Sequence, residues 1–550
     1  MKSLSKSIKK ALAATALAGI AAAGITMTQQ PTAAPEVARD VIVQGASLEQ
    51  VVTAVTTVGG EITHELGIIK SVGAEMTDSE IAELKARFPG VRLMHDNKVE
   101  VADRNEYEGT PAGAPRVVDA SALHSSGVTG RGVTVAMIDT GTKKLDSLRW
   151  GPGEDGRRRV TVGYNAITDT AGSLDVVSDS YGHGSHVATV MGSGSGEEDG
   201  EWSNGIAPES NLVMVKAFGD DGTGTYADVI RGIDWIVQNQ QAHDIRVLNL
   251  SFSAEPRSHY WDDPLNQAVM AAWEAGIVVV ASAGNDGPDA MTIGVPGNVP
   301  YVITVGAMTD NYSPNNGSDD LLASFSAAGP TYEGFVKPDV VAPGGHMLGQ
   351  MDRNSYLATS YPEFRSGESG YFTMSGTSQS AAVVSGVVAL MLDYDPNLSP
   401  DDVKCRLMAS AQAARESNGD LAYSIFQQGA GMVNAAEAVL STETGCANVG
   451  LDVSADLAGT AHFGGLARQN EDGDFYIEGV DGYLWANGYL WANGYLWANS
   501  EAEANGYLWA NGYLWANGYL WANGYLWANG YLWANGLTET TSVNSWVEQE

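Results

Sequence analysis

Between residues 38 and about 103 the spacing of apolar positions changes period every few residues. Val41-Ile-Val43 reads as a short strand. Leu48 to Val58 carries apolar side chains at 48, 51, 52 and 55, which is one face of a helix. Gly59-Gly60 turns the chain, and Glu61 to Ile69 returns to strand-like residues. A second helix is predicted over Ser79 to Phe88 with Asp78 as its N-cap, and Val91 to Met94 leads into a last strand. The resulting order is β-α-β-β-α-β, a compact unit of its own. The polar, Gly- and Pro-bearing stretch 104–115 reads as an exposed linker, the kind of segment a protease nicks.

From there strands alternate with helices. Val133 to Ile138 is a largely apolar run that closes on Asp139. Asn211 to Phe218, Arg246 to Phe252, Gly276 to Ser282 and Tyr301 to Gly306 read as further strands. Tyr226 to Asn239 has apolar positions at 229, 233, 236 and 237 and reads as a helix, as do Pro400 to Ala411 and Ala430 to Leu440. Ser378 to Leu392 has almost no polar interruption, the mark of a buried helix. Such alternation implies a mostly parallel sheet covered on both faces.

Three glycine-bearing motifs lie beside these apolar runs, in the order Asp, His, Ser. Asp139 ends Val135-Ala-Met-Ile-Asp-Thr-Gly141, at the carboxyl end of a strand, where open α/β sheets place their sites. His183 lies in Tyr181-Gly-His-Gly-Ser-His-Val187 and is expected in the first turn of a helix. Ser378 lies in Ser375-Gly-Thr-Ser-Gln-Ser-Ala381 and opens the buried helix, whose N-terminus brings partial positive charge. A serine nucleophile needs a base for its proton and a carboxylate to orient that base. An aspartic-protease site needs two Asp-Thr-Gly carboxylates, and the chain has one. A strand running into Ala283-Gly284-Asn285 adds a side-chain amide suited to an oxyanion, although Asn before Asp286-Gly-Pro288 is also a good turn residue.

These four segments resemble the subtilisin-like serine proteases over roughly residues 112–445, with the Asp…His…Ser chain order of that family. The resemblance implies an α/β, three-layer subtilisin-like fold with a mostly parallel sheet over 116–445. By resemblance Asp139 orients His183, His183 is base then acid, and Ser378 is the nucleophile. Asn285 and the Ser378 backbone N–H form the oxyanion hole, and His186 packs within its helix. Ser251, Phe252, Ser253, Ala283 and Gly284 match the segments that bind substrate as an added strand. The chain departs from the family pattern at Ala382 and Val383, where proline and histidine are usual, and at Ser253, where glycine is common at the pocket edge. The unit at 38–103 resembles the subtilisin propeptide, a ferredoxin-like α+β inhibitor whose end, near Val99 to Ala102, would lie in the cleft until cut away. Structural calcium is possible in this family, with Asp220-Asp221 or Asp319-Asp320 as candidate loops, but no metal site is assigned and the chemistry needs no cofactor.

Composition adds a setting. Lys2, Lys6, Lys9 and Lys10 precede the apolar stretch Ala11 to Ile20, so residues 1–34 read as a secretory signal cut after Ala34 or Ala23. A formal net charge of −36, from 66 acidic and 30 basic residues, argues against nucleic acid as a partner and suits a soluble exported enzyme. No later stretch is apolar enough to span a membrane. Cys405 and Cys446 are the only cysteines and could close a disulfide or remain buried thiols.

After a connecting segment at 446–481, Gly482 to Asn535 holds eight perfect Gly-Tyr-Leu-Trp-Ala-Asn copies and the variant Ser500 to Asn505, before a tail at 536–550. Asn-Gly turns between short apolar runs favour a β-rich meander, with a β-solenoid as the competing shape. The repeats could contact a glycan or cell surface, or could be packing alone. The expected partners are protein or peptide substrates and the chain's own propeptide. The expected function is a secreted serine endopeptidase made as an autoprocessed zymogen; the alternative is a catalytically silent binding protein on the same scaffold.

Overall fold

The computed structural model describes residues 38–101, 114–149, 159–194, 205–311, 320–366, 370–416, 419–471 and 473–477. The expected secretory signal, most of the linker, the hexapeptide repeats and the C-terminal tail lie outside the described residues. Ala114 and Pro115, read as the end of the linker, open a short helix, Ala114–Val117.

The N-terminal unit is a four-stranded antiparallel sheet under two helices. Its strands are β1 (Arg39–Gln44), β2 (Glu61–Leu66), β3 (Ser71–Met76) and β4 (Arg92–His95), in the order β2-β3-β1-β4. The helix Leu48–Val58 starts at Ser47, whose side chain accepts from the Gln50 N–H, and ends at Gly59 in the left-handed region, φ 96°. It buries Val51, Ala54 and Val55 against Val41, Val43 and Val72 in a core separate from that of the rest of the chain. The second helix, Asp78–Arg87, is capped by Thr77 rather than Asp78. Thr77 and Glu80 satisfy each other's backbone N–H groups in a capping box, which Asp78 is one residue too late to do. The short strand β5 (Lys98–Val101) then leaves this unit altogether.

The larger domain is organised by β6 (Thr134–Asp139), β7 (Val160–Asn165), β8 (Thr170–Gly172), β9 (Asn211–Lys216), β10 (Thr223–Thr225), β11 (Ile245–Leu250), β12 (Phe252–Ser253), β13 (Val278–Ser282), β14 (Ile303–Thr309), β15 (Leu321–Leu322) and β16 (Val340–Pro343). The main sheet runs β15-β14-β13-β11-β6-β9-β7-β8, with β16 also on β14. Every pairing in it is parallel except those of β8 and β15. All six residues of β6 are buried, as a central strand covered on both faces must be. The helix Thr377–Tyr394 runs behind the sheet, buried from Thr377 to Leu392. The helix expected over Ala430 to Leu440 begins only at Ala435. Gly431, at φ 112°, turns Met432 into bridges with Val341 and Gln412, so long-range pairing overrides the local pattern.

The stretch after Cys446, read as a connector, carries a helix (Val453–Leu457) and a hairpin whose Leu466, Ala467 and Ile477 join the main core. Asp456 pins it there, accepting from Tyr260 and Tyr301 hydroxyls at 2.5 and 3.0 Å and pairing with His462 at 2.7 Å. Cys405 and Cys446 form a disulfide with Cα atoms 5.1 Å apart.

β10 and β12 do not belong to the main sheet. They flank β5, giving an antiparallel three-stranded sheet β10-β5-β12 that joins the N-terminal unit to the larger domain.

Candidate active site

Asp139 is the last residue of β6 and His183 is the first of the helix His183–Gly192. His183 Nδ1 lies 2.8 and 3.0 Å from the two carboxylate oxygens of Asp139, and both side chains are fully buried. This approach requires glycine next to the histidine. A Cβ at Gly184 would collide with the Gly141 carbonyl and stand 2.9 Å from Asp139 Oδ1. The carboxylate acceptor fixes the proton on Nδ1, which leaves Nε2 to act as a base.

A second carboxylate braces the pair. Asp179 is completely buried and accepts from the Thr140 hydroxyl at 2.9 Å, the Gly182 N–H at 2.8 Å, the Ser185 N–H at 2.9 Å and the Ser185 hydroxyl at 2.6 Å. Thr140 also accepts from the Gly184 N–H at 2.9 Å. Asp179 thus ties the residue after Asp139 to the first turn of the His183 helix, where its negative charge also meets the positive helix end. Sequence reasoning missed this residue, because a lone Asp in a loop has no periodic signal. Its one clue is its place four residues before His183.

His186 packs on the other side. Its Nε2 faces the carbonyls of Met347 and Phe372 at 3.2 and 3.0 Å, and burial, helped by the neighbouring His183, lowers its pKa to about 3. His186 is therefore a neutral packing residue at any physiological pH.

Ser378 is the second residue of the helix Thr377–Tyr394. Its hydroxyl donates to the Ser251 carbonyl at 2.9 Å, and the Ser251 hydroxyl donates back to the Ser378 carbonyl at 2.9 Å. Asn249 extends this brace, donating to Ser251 Oγ at 2.8 Å and accepting from Ser385 at 2.9 Å. Asn285 lies beyond Ala283 and Gly284, just after β13. Its Oδ1 accepts from the Thr377 N–H at 3.0 Å and the Thr377 hydroxyl at 2.9 Å. Two donors on one atom assign that atom as the oxygen, so Nδ2 is the donor end of the amide. Thr377, also unmarked in the sequence reading, thereby aims Asn285.

Phe252 and Ser253 form β12 and pair with Val101 and Glu100, while Thr223 to Thr225 of β10 pair with Glu100 to Lys98. β5 is therefore the middle strand of three, with β10 on one edge and β12 on the other. Of the loop carboxylates weighed as calcium ligands, Asp220 and Asp221 each have a protein partner. Asp220 is mostly exposed and lies 3.4 Å from the Lys216 ammonium, and Asp221 accepts from the Thr223 N–H and hydroxyl. Asp319 lies outside the described residues, and no cluster of three or more His, Cys, Asp or Glu able to hold a metal occurs among those described. No described helix is long and apolar enough to cross a membrane.

Residues 130–431 match the model of the Subtilase family. The chain is 36% identical over 376 residues to serine protease AprX of Bacillus subtilis, covering 68% of this chain and 79% of that protein. It is 30% identical to subtilisin DY of Bacillus licheniformis, covering 59% of this chain and 96% of that protein. Among solved structures it is similar in fold to fervidolysin from Fervidobacterium pennivorans, with a TM-score of 0.57, 23% identity, and coverage of 74% of this chain and 61% of that one.

Proposed function

The chain belongs to the subtilase family and is a subtilisin-like serine endopeptidase, and from that premise we propose how it works and how it is restrained. Ser378 Oγ attacks the scissile carbonyl carbon while its proton passes to His183 Nε2. Asp139 holds the imidazole in the right tautomer and stabilises its cation without taking the proton. The carbonyl oxygen, now negative, is stabilised by Asn285 Nδ2 and the Ser378 backbone N–H. His183 then gives the proton to the leaving amine, forming the acyl-enzyme. Water, deprotonated by His183, releases the acyl product and restores Ser378.

The N-terminal unit is an intramolecular inhibitor, and the chain is a secreted zymogen that cuts itself free of it. One observation carries this reading: β5 lies as the middle strand of the β10-β5-β12 sheet, where a substrate would add. The unit is held there by Arg92 on Asp262 at 2.9 Å, Gln44 on Gln267 at 2.6 Å and His64 on Asp228 at 3.1 Å. Asp96 and Asn97 accept from the Ala227 and Tyr226 N–H groups, at 3.0 and 2.9 Å, at the start of the helix Tyr226–Gln238.

Expression of the parent and its Ser378→Ala variant, each treated with a fluorophosphonate, tests the proposal. Labelling, and loss of the N-terminal segment, are expected in the parent alone. Equal processing of both proteins, with no labelling, would sink it.

A further inference from the structure

Three small residues make the floor of the groove beside Asn285. Ser253 comes from β12, Gly284 from the turn after β13, and Gly294 lies next to both. A Cβ on Gly284 would stand 3.0 Å from Ser253 Oγ, and one on Gly294 would overlap that same oxygen. The serine hydroxyl therefore occupies the space that the two absent side chains leave open.

This floor is fixed in place. Ala254 and Val295 exchange backbone hydrogen bonds at 3.0 and 2.8 Å, and the Gly294 N–H donates to the Ala283 carbonyl at 2.9 Å. Behind it Ala283, Ile293 and Ala327 form a closed apolar cluster. Gly284 immediately precedes Asn285, so this floor adjoins the amide assigned above to the scissile carbonyl.

We propose that Ser253 is a specificity-determining residue that closes this slot, so that the enzyme cleaves after alanine, serine or glycine and rejects aromatic and long aliphatic residues there. The inference rests on the endopeptidase reading above and names its substrate class.

The groove provides its apolar grip elsewhere. Val99 of β5 is fully buried in the same apolar core as Phe218, Tyr226 and Phe252. It pairs with Gly224, where an added Cβ would press on Phe218 at 3.2 Å. Val101 pairs with Phe252, and the next residue along that wall, Ser251, holds Ser378 Oγ at 2.9 Å. A substrate in the same register thus meets the nucleophile three residues beyond the position of Val99. The preferred substrate is an extended segment with a β-branched aliphatic residue three places before a small one.

The test uses the full-length precursor after processing, with peptides that carry valine three places before the cleavage point and alanine, leucine or phenylalanine at it. Rates are normalised to Ser378 sites titrated with fluorophosphonate. In the parent, kcat/KM for the alanine peptide should exceed that for phenylalanine by more than about tenfold, and Ser253→Gly should shrink this ratio by about tenfold or more. Ser253→Ala, which removes only the hydroxyl, should move the ratio the same way and stands in if the glycine variant does not fold. Equal parent rates for alanine and phenylalanine, or a ratio unmoved in the variants, overturn the role of Ser253 while labelling leaves the enzyme reading intact. Absence of both labelling and hydrolysis overturns the enzyme reading and the inference with it.

Discussion

The two walls of the cleft are made of opposite materials. The wall of β6 and the His183 helix concentrates buried titratable groups: Asp139, His183 and Asp179. The facing wall, of β12, the turn after β13 and the start of the Ser378 helix, works through Ser251, Ser253, Gly284, Asn285, Thr377 and Ser378, none of which is ionised. A buried charge is tolerated only when paired and fully hydrogen-bonded, so the first wall is cross-braced, with Asp179 accepting from residues on both sides of the Asp139–His183 contact. Neutral dipoles are cheaper to bury and act separately. The charged wall should therefore fail abruptly, and the neutral wall should weaken by steps.

The largest effect tests the charged wall directly. Asp139→Asn should lower kcat about 10⁴-fold, because the amide offers its N–H to Nδ1 and selects the wrong tautomer. Steady-state kinetics with little change in KM is the expected pattern; a loss below tenfold would mean the wall is not organised by Asp139. On the neutral wall, Asn285→Ala should cost about 10²–10³ in kcat, the range that removal of this kind of oxyanion donor gives in a subtilisin. If its loss equalled that of Asp139→Asn, the contrast between the walls would disappear.

A smaller effect separates bracing from chemistry. Asp179→Ala strands the Gly182 and Ser185 N–H groups and should destabilise the domain by about 1–3 kcal/mol for each donor left unsatisfied. Thermal unfolding of the Ser378→Ala background, with and without the substitution, measures it free of self-digestion. An unchanged melting point would show that the brace is dispensable.

The smallest effect extends the contrast to the N-terminal unit, which pairs β5 between β10 and β12 and docks beside them partly through charged groups. Burial raises the pKa of Asp96 from 3.8 to about 6, opposed by the Ala227 N–H and His64 and reinforced by Asp228 and Asp40. A raised carboxyl pKa means that docking favours the protonated form. Its contribution is complete below about pH 4 and is lost as pH rises through about 6. Inhibition of the mature enzyme by added residues 38–101 should weaken about tenfold from pH 4 to 7, within the roughly hundredfold bound that two pKa units set. Asp96→Asn should flatten that slope, and an identical slope in parent and variant would assign it to other groups.

Much of this arrangement could be read from the residues, for uneven reasons. β6 and the Ser378 helix stood out because each is largely apolar and carries a chemical residue at one end. Asp139, His183, Asn285 and Ser378 fell at element ends, where glycine turns expose them to pattern reading. Asp179 and Thr377 did not, since their roles arise only when a loop folds back onto a helix end. β3 was not located, because Gly73 breaks its pattern; an added Cβ there would stand 3.2 Å from His64. β10 and β12 have three and two residues and exist only by pairing with β5, so no local signal could announce them.

The β10-β5-β12 sheet has one further consequence. Without β5, β10 and β12 would face each other across a gap one strand wide, each with an open edge. Only a polypeptide whose own amides and carbonyls are not already engaged can fill it. A folded protein, with its strands paired and its helices closed, offers no such backbone. On the proposed reading, whether a target is unfolded would be sensed before its side chains are.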